Sequence, residues 1–338
     1  MPSQRLSAVL IAALVFAAAA ATVQAQARKP VKDSFTESST AVLWTDPGEI
    51  RSRDLYYGPG GREDEPHGVV QFLEEDNDGT SPKFDVEDKD DRRWKAKLGE
   101  EAQPETVATR LLWAVGFNTN ETYFVQDLKV EGLPRLHRGQ QFVREGGDVC
   151  QVRLQRHDKG KKSGIWSWRK NPLKGSREFN GLRVMMALIS NWDVKDENNA
   201  VYIEKTEPQQ RFYEVSDLGA SFGMTGKSYT DARAKNNLGA YRHAKFVSKV
   251  TANYVDFNFP THPPFLFMFN LPFFVSKVRT RWIGRHIPRS DAKWMGTLLS
   301  QLSSQQLHDA FRAAGYSAAE VDGYVEALQR RINQLNEL

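Results

Sequence analysis

The 338-residue chain is 40% hydrophobic and 11% aromatic, enough for a sizeable core, which excludes wholesale disorder. Its 46 Lys and Arg stand against 42 Asp and Glu, a net +4 on a mixed surface, so no nucleic-acid partner that requires a basic stripe is expected. The single cysteine, Cys150, excludes an intramolecular disulfide and any cysteine-based zinc site.

Residues 1–25 read as a signal peptide. MPSQR is the positive n-region, LSAVLIAALVFAAAAA the apolar run, and Val23-Gln24-Ala25 a small-residue cleavage site. A retained anchor is the competing reading, but the run is short for a bilayer. The expected location is therefore periplasmic or extracellular, after cleavage near Ala25. Residues 26–65 are polar and turn-rich, an extended arm with little core of its own.

Order is expected from Val69. VVQFLEEDNDG, KFDVEDKDD and RWKAKL alternate polar and apolar residues, as strands of a half-exposed antiparallel sheet do. The turn signals Asp78-Gly79 and Lys89-Asp90-Asp91 separate them. PETVATRLLWAVGF reads as a helix with Pro104 at its first position and Gly116 as its C-terminal cap. TYFVQDLKVEGL reads as a strand pair. A polar middle section leads to SREFNGLRVMMALIS, a helix capped by Ser176. NWDVKDENN follows, then a hairpin of AVYIEK and RFYEVSD around the turn TEPQQ. Strand signals fade after residue 225, and the last fifty residues are helical with a break at Ala314-Gly315. The run PPFLFMFNLPFFV, including Phe265–Val275, is interrupted by proline and too short to span a membrane; core packing and contact with a partner or membrane both stay open.

Asp193 and Asn198 precede the hairpin and Asp217 follows it. An antiparallel hairpin returns its end to its start, so the three side chains can approach one point. Asn198 and Asp217 offer the hard oxygen ligands that Mg²⁺ favours. Asp193 is left to orient a hydroxyl, and Lys195 to neutralise a phosphoryl group in transfer. The seven histidines form no HExxH, and neither a Gly-x-Ser-x-Gly elbow nor a Rossmann fingerprint occurs. Glu74, Asp76, Asp78, Gly79 and Asp85 mimic part of a calcium loop, but Pro82 interrupts it and strands flank it. The basic run Arg156–Lys162 reads as a solvated loop or an anion-recognition segment, and Trp166 and Trp168 as packing residues.

Asp193-Val-Lys-Asp-Glu-Asn198 after a buried helix resembles the catalytic loop of protein kinases, and Asp217-Leu218-Gly219 resembles their metal-binding Asp-Phe-Gly segment. The resemblance implies a two-lobed α+β kinase-like fold, with a small antiparallel β-rich N-lobe at 66–130 and a mainly helical C-lobe at 131–338. It makes Asp193 the catalytic Asp, Lys195 the contact to the phosphate being moved, and Asn198 and Asp217 the holders of Mg²⁺ or Mn²⁺ beside ATP or another nucleotide. Lys97 is similar in placement to the phosphate-contacting lysine on the third strand. Glu105 is its ion-pair partner, with Glu100 and Glu101 as rivals. Gly79, Thr80, Ser81 and Lys83 sit where a phosphate-covering loop belongs. The G-x-G-x-x-G loop is missing, Trp192 precedes Asp193 in place of the His-Arg pair, and Lys97 and Glu105 are close in sequence. These departures resemble the atypical branches: HipA-type toxin kinases, phosphoinositide kinases and secretory-pathway kinases. The function implied is phosphoryl transfer to an unknown acceptor. ATP is scarce in a periplasm-like space, which leaves open another donor, AMP transfer, or a binding module without catalysis.

Overall fold

A short strand, β1 (Thr40–Val42), opens the computed structural model, which describes residues 40–79, 81–156, 161–203, 210–224, 235–258 and 280–338. The leader, the arm as far as residue 39, Thr80 and Phe265–Val275 lie outside the described residues. Beyond β1 the stretch is not the coreless arm its polarity suggests. Three of its apolar side chains, Leu43, Ile50 and Leu55, are nevertheless buried, because the rest of the molecule satisfies the backbone around them. Gln306 Nε2 donates to the carbonyls of Ile50 (2.9 Å) and Arg53 (2.8 Å), and Trp44 Nε1 donates to Val115 O (2.6 Å).

Five strands follow: β2 (Val69–Asp76), β3 (Lys83–Glu87), β4 (Arg93–Leu98), β5 (Thr122–Glu131) and β6 (Asp148–Arg156). They close into a barrel of order β2-β3-β4-β6-β5. The alternation read in the sequence is its inside and outside: Phe84, Val86, Trp94, Ala96, Leu98, Val152 and Leu154 belong to its buried core. Three expectations need correction. The sheet is not wholly antiparallel, since β2 and β5 close the barrel in parallel (Val69 opposite Lys129). TYFVQDLKVE is one ten-residue strand, because nothing in it can turn the chain back. The sheet does not end near residue 130, since β6 pairs with both β4 and β5.

Helix α1 (Ala102–Ala114) begins two residues before Pro104. It ends where Gly116 takes φ +97°, close enough to Thr45 O and the Trp44 ring that a Cβ would collide with both. Val107, Ala108, Leu111 and Leu112 pack it into a second, larger cluster separate from the barrel core. That cluster also holds α2 (Arg177–Leu188), where Ser176 Oγ accepts from Phe179 N as its pattern predicts.

A sheet of order β1-β9-β8-β7 carries β7 (Lys161–Gly164), β8 (Asn199–Ile203) and β9 (Gln210–Val215). The first strand lies parallel to β9, with Thr40 opposite Gln210. Short helix α3 (Leu238–His243) precedes β10 (Val247–Val250), β11 (Tyr254–Phe257) and β12 (Ile287–Pro288), a three-stranded sheet in a region where no strands are expected. Helices α4 (Arg289–Leu299), α5 (Ser304–Arg312) and α6 (Ala318–Asn336) complete the chain, with capping boxes at Ser303 and Ser317 and the expected break at Gly315 (φ +73°). Buried Arg331 of α6 donates to Leu188 O (2.6 Å), Ser190 Oγ (2.9 Å) and Tyr241 O (3.0 Å). It thereby satisfies carbonyls at the end of α2, just before the NWDVKDENN segment. The fold is mixed α+β. No helix among the described residues is long and apolar enough to cross a membrane.

Candidate active site

The barrel's alternation turns Lys97 outward from β4, yet only 6% of it is exposed, because carboxylates close over it. Gly99 (φ +93°) turns the chain abruptly from β4 into α1. The short spacing between Lys97 and Glu105 therefore still brings them together. Lys97 Nζ lies 2.9 Å from Glu101 Oε2, 3.0 Å from Glu105 Oε2 and 3.2 Å from Asp217 Oδ1. Glu105 and its rival Glu101 thus both pair with the lysine. Burial opposes the Lys97 ammonium, but the three carboxylates outweigh it and hold the group well above its ordinary value. At Glu101 burial is likewise overcome, here by Lys97 and by Lys235 Nζ at 2.8 Å, and its carboxyl falls to about 2.

Glu105 differs: burial pushes its carboxyl up against the pull of Arg153 and Lys97. With two cations within 3.3 Å, the charged form of Glu105 is the one the geometry supports. The Arg153 contact is an ion pair at 3.3 Å through Nε, which makes no hydrogen bond.

Opposite the barrel, α2 ends and the chain turns at Ser190 (φ +56°). Fully buried Asn191 then ties two segments together: its Oδ1 accepts from Asp193 N (3.0 Å), and its Nδ2 donates to Asp217 O (3.5 Å). The Asp193 carboxylate is held by Lys195 Nζ (2.7 Å) and by Asn198 Nδ2 (3.2 Å). Asn199 pairs with Val215, and Ser216 N donates to Asn198 O (2.8 Å), so the hairpin returns Asp217 beside Asn198 as its pattern predicts. Asp217 Oδ1 also accepts from Gly219 N (3.2 Å). Gly219 packs so closely on Glu101 that a Cβ would sit 2.7 Å from the glutamate's own.

Between β2 and β3, Gly79 takes φ +70° and Arg138 Nη1 donates to its carbonyl (2.5 Å). Ser81 Oγ donates to Glu101 Oε2 (3.0 Å), and Lys83 pairs with Asp76 (3.3 Å). Asp76 and Asp85 share Lys95 at 2.6 and 2.9 Å, so two carboxylates of the calcium-loop mimic are engaged by lysine. Trp166 and Trp168 are buried against Phe179, and Trp166 Nε1 donates to Glu214 O (2.8 Å).

A cleft of about 620 Å³ collects the expected residues. Lys97, Glu105, Gly79, Ser81 and Lys83 line it from one side, and Asp193, Lys195, Asn198 and Asp217 from the other. Thr80 lies outside the described residues. Sequence reading missed Arg153, which reaches the cleft from β6, and Asn191. It also missed Asn120, whose Nδ2 donates to buried Glu214 (2.6 Å). Recognising 148–156 as a strand would have exposed Arg153 by its alternation.

Among the described residues no group of three His, Cys, Asp or Glu side chains could hold a metal. Asn198 and Asp217, adjoining in one cleft, instead fit an ion such as Mg²⁺ that takes one or two protein oxygens and completes its shell from phosphates and water.

No protein-family model and no curated protein sequence matches the chain. Among solved structures it is similar to the Helicobacter pylori proinflammatory kinase CtkA, at TM-score 0.44 and 10% identity, over 80% of this chain and 98% of that one. It is also similar to the Golgi casein kinase, at TM-score 0.33 and 12% identity, over 80% of this chain and 73% of that one. A structure of that kinase with Mn/ADP bound gives TM-score 0.34 and 11% identity over 80% and 72%.

Proposed function

We propose that the protein is a metal-dependent phosphotransferase of atypical kinase type, moving phosphoryl from a nucleotide to an acceptor. In this reading the barrel is the smaller lobe and the helical cluster the larger, and their two separate hydrophobic cores support the division. The observation that carries the proposal is the Lys97–Glu105 pair, bonded on to Asp217, in one cleft with Asp193, Lys195 and Asn198. A buried lysine fixed by carboxylates is an oriented donor for phosphate oxygens. Phosphoryl transfer needs such positioning and charge neutralisation more than covalent chemistry.

Asn198 and Asp217 would hold Mg²⁺ or Mn²⁺, which when bound neutralises charge on the phosphates. Asp193, its carboxylate fixed from both sides, would orient the acceptor hydroxyl, and Lys195 beside it would follow the phosphoryl group. Export with cleavage near Ala25 belongs to the same proposal and rests on the pattern of residues 1–25.

Thermal unfolding with ATP, GTP or ADP, in Mg²⁺, Mn²⁺ or chelator, tests the reading. A ligand at a hundred times its Kd should stabilise the protein by about 2.7 kcal/mol. The stabilisation should need metal and vanish in Asp217→Asn. A well-folded sample that responds to no nucleotide would remove the phosphotransferase reading.

A further inference from the structure

The roof of the cleft is the outer face of a closed barrel, and closure has a chemical consequence. Every second residue of β3, β4 and β6 is committed to the barrel's interior, so the apolar half of each strand is used up inside. The other half forms two cross-strand rows. Lys83 stands opposite Lys97, and Lys97 opposite Arg153; Asp85 stands opposite Lys95, and Lys95 opposite Gln155. Strands spaced about 4.8 Å apart turn the first row into a rail of three cations roughly 10 Å long. Like charges directly opposite one another are unfavourable in a sheet. Here Asp76, Glu101, Glu105 and Asp217 neutralise the row.

The described lining of the whole cleft contains no Val, Leu, Ile, Met or Phe, and its one aromatic ring is Tyr202, which hydrogen-bonds Ser216. A site that reads a flat base normally encloses it between apolar or aromatic walls, with a few polar groups to fix its edge. A row of cations with Lys195 facing it across the cleft is suited to a chain of phosphates.

We propose that the cleft recognises its ligand by the polyphosphate chain and leaves the base unread. Nucleoside triphosphates of any base, and inorganic tripolyphosphate itself, then compete for it on near-equal terms. This deepens the phosphotransferase reading and rests on it.

The test is calorimetric titration of the full chain with ATP, UTP, tripolyphosphate and adenosine in Mn²⁺, with Lys83→Gln and Tyr202→Ala alongside. The three polyphosphates should bind with Kd values within about tenfold of one another, less than 1.4 kcal/mol apart, and adenosine should not bind. Lys83→Gln should weaken all three by a common factor, and Tyr202→Ala should change none. ATP binding more than about tenfold tighter than UTP and tripolyphosphate overturns the inference and leaves the phosphotransferase reading standing. So does a loss of ATP affinity in Tyr202→Ala with tripolyphosphate unaffected. Tripolyphosphate binding that ignores Lys83→Gln lies elsewhere on the protein and also counts against the inference. Failure of every ligand to bind a well-folded sample removes both readings together.

Discussion

The Lys97 ammonium lies within 3.2 Å of three carboxylates and hydrogen-bonds two of them, Glu105 and Asp217, and the three acids differ in how much water they see. Glu105 is 2% exposed and Asp217 39%, so Asp217 is the partner most readily surrendered. Glu105→Gln keeps the shape and removes the charge that both Lys97 and Arg153 lean on. We expect it to cost about 2 kcal/mol of stability, since two other carboxylates remain on Lys97, and to lower phosphoryl transfer roughly 10²-fold. Denaturant unfolding and single-turnover rates check both; unchanged stability and rate would show that the pair is ornamental.

A second residue-scale expectation concerns acid. Burial works against the Asp76 carboxyl, but Lys95 and Lys83 hold it at about 2, against an ordinary value of 3.8. A carboxyl held below its unfolded value stabilises the fold above about pH 4, and that contribution is lost as the pH falls toward 2. Asp76→Asn should remove roughly 1 kcal/mol of this dependence, the partial exposure of the group being allowed for. Equal slopes of stability against pH in the two proteins would contradict it. Asp193, Lys195, Asn198 and Asp217 were legible because their spacing is local, separated only by a hairpin. Arg153 and Asn191 were not, because a polar residue in a strand or at a helix end carries no local mark of what it will face.

At the scale of elements, periodicity identified β2, β3, β4, α2 and the C-terminal helices but not how the strands join. Closure of the barrel depends on Val69 meeting Lys129, and no pattern within either strand encodes that pairing. For the same reason β10, β11 and β12 went unseen: strands of two to four residues are too short for alternation to register. The end of α1 shows the opposite case, where one residue type is dictated. Gly116 combines a left-handed backbone with a contact that would bring a Cβ to 2.3 Å from Thr45 O. Gly116→Ala should therefore destabilise the protein by about 2 kcal/mol or more, read as a shift in the denaturation midpoint. A midpoint within experimental scatter of wild type would mean that the β1 region yields easily.

Seen as one molecule, the polar stretch 40–65 is structural rather than appended. Deleting the chain through Leu55 would strip three buried apolar side chains, each stabilising by about 2 kcal/mol, from a fold whose total margin is on the order of 10 kcal/mol. Such a truncation should lose its cooperative unfolding transition. A sharp transition in the shortened protein would restore the sequence-based picture of a coreless arm. That picture failed because polarity reports what faces water, whereas the arm is held by backbone carbonyls that Gln306, far along the chain, satisfies.

The parallel pairing of β1 with β9 also bears on time. Asp217 follows β9 by two residues, and β9 gains its second neighbour only when a strand from the first described residues reaches it across about half of the chain. Local contacts, the β8–β9 hairpin among them, form quickly, whereas closure of so long a loop is slow. During refolding, helix and hairpin signals should return first and ligand binding should lag behind them. In that interval β9 presents an open edge to any other strand, so the chain is most prone to self-association just before its site is complete.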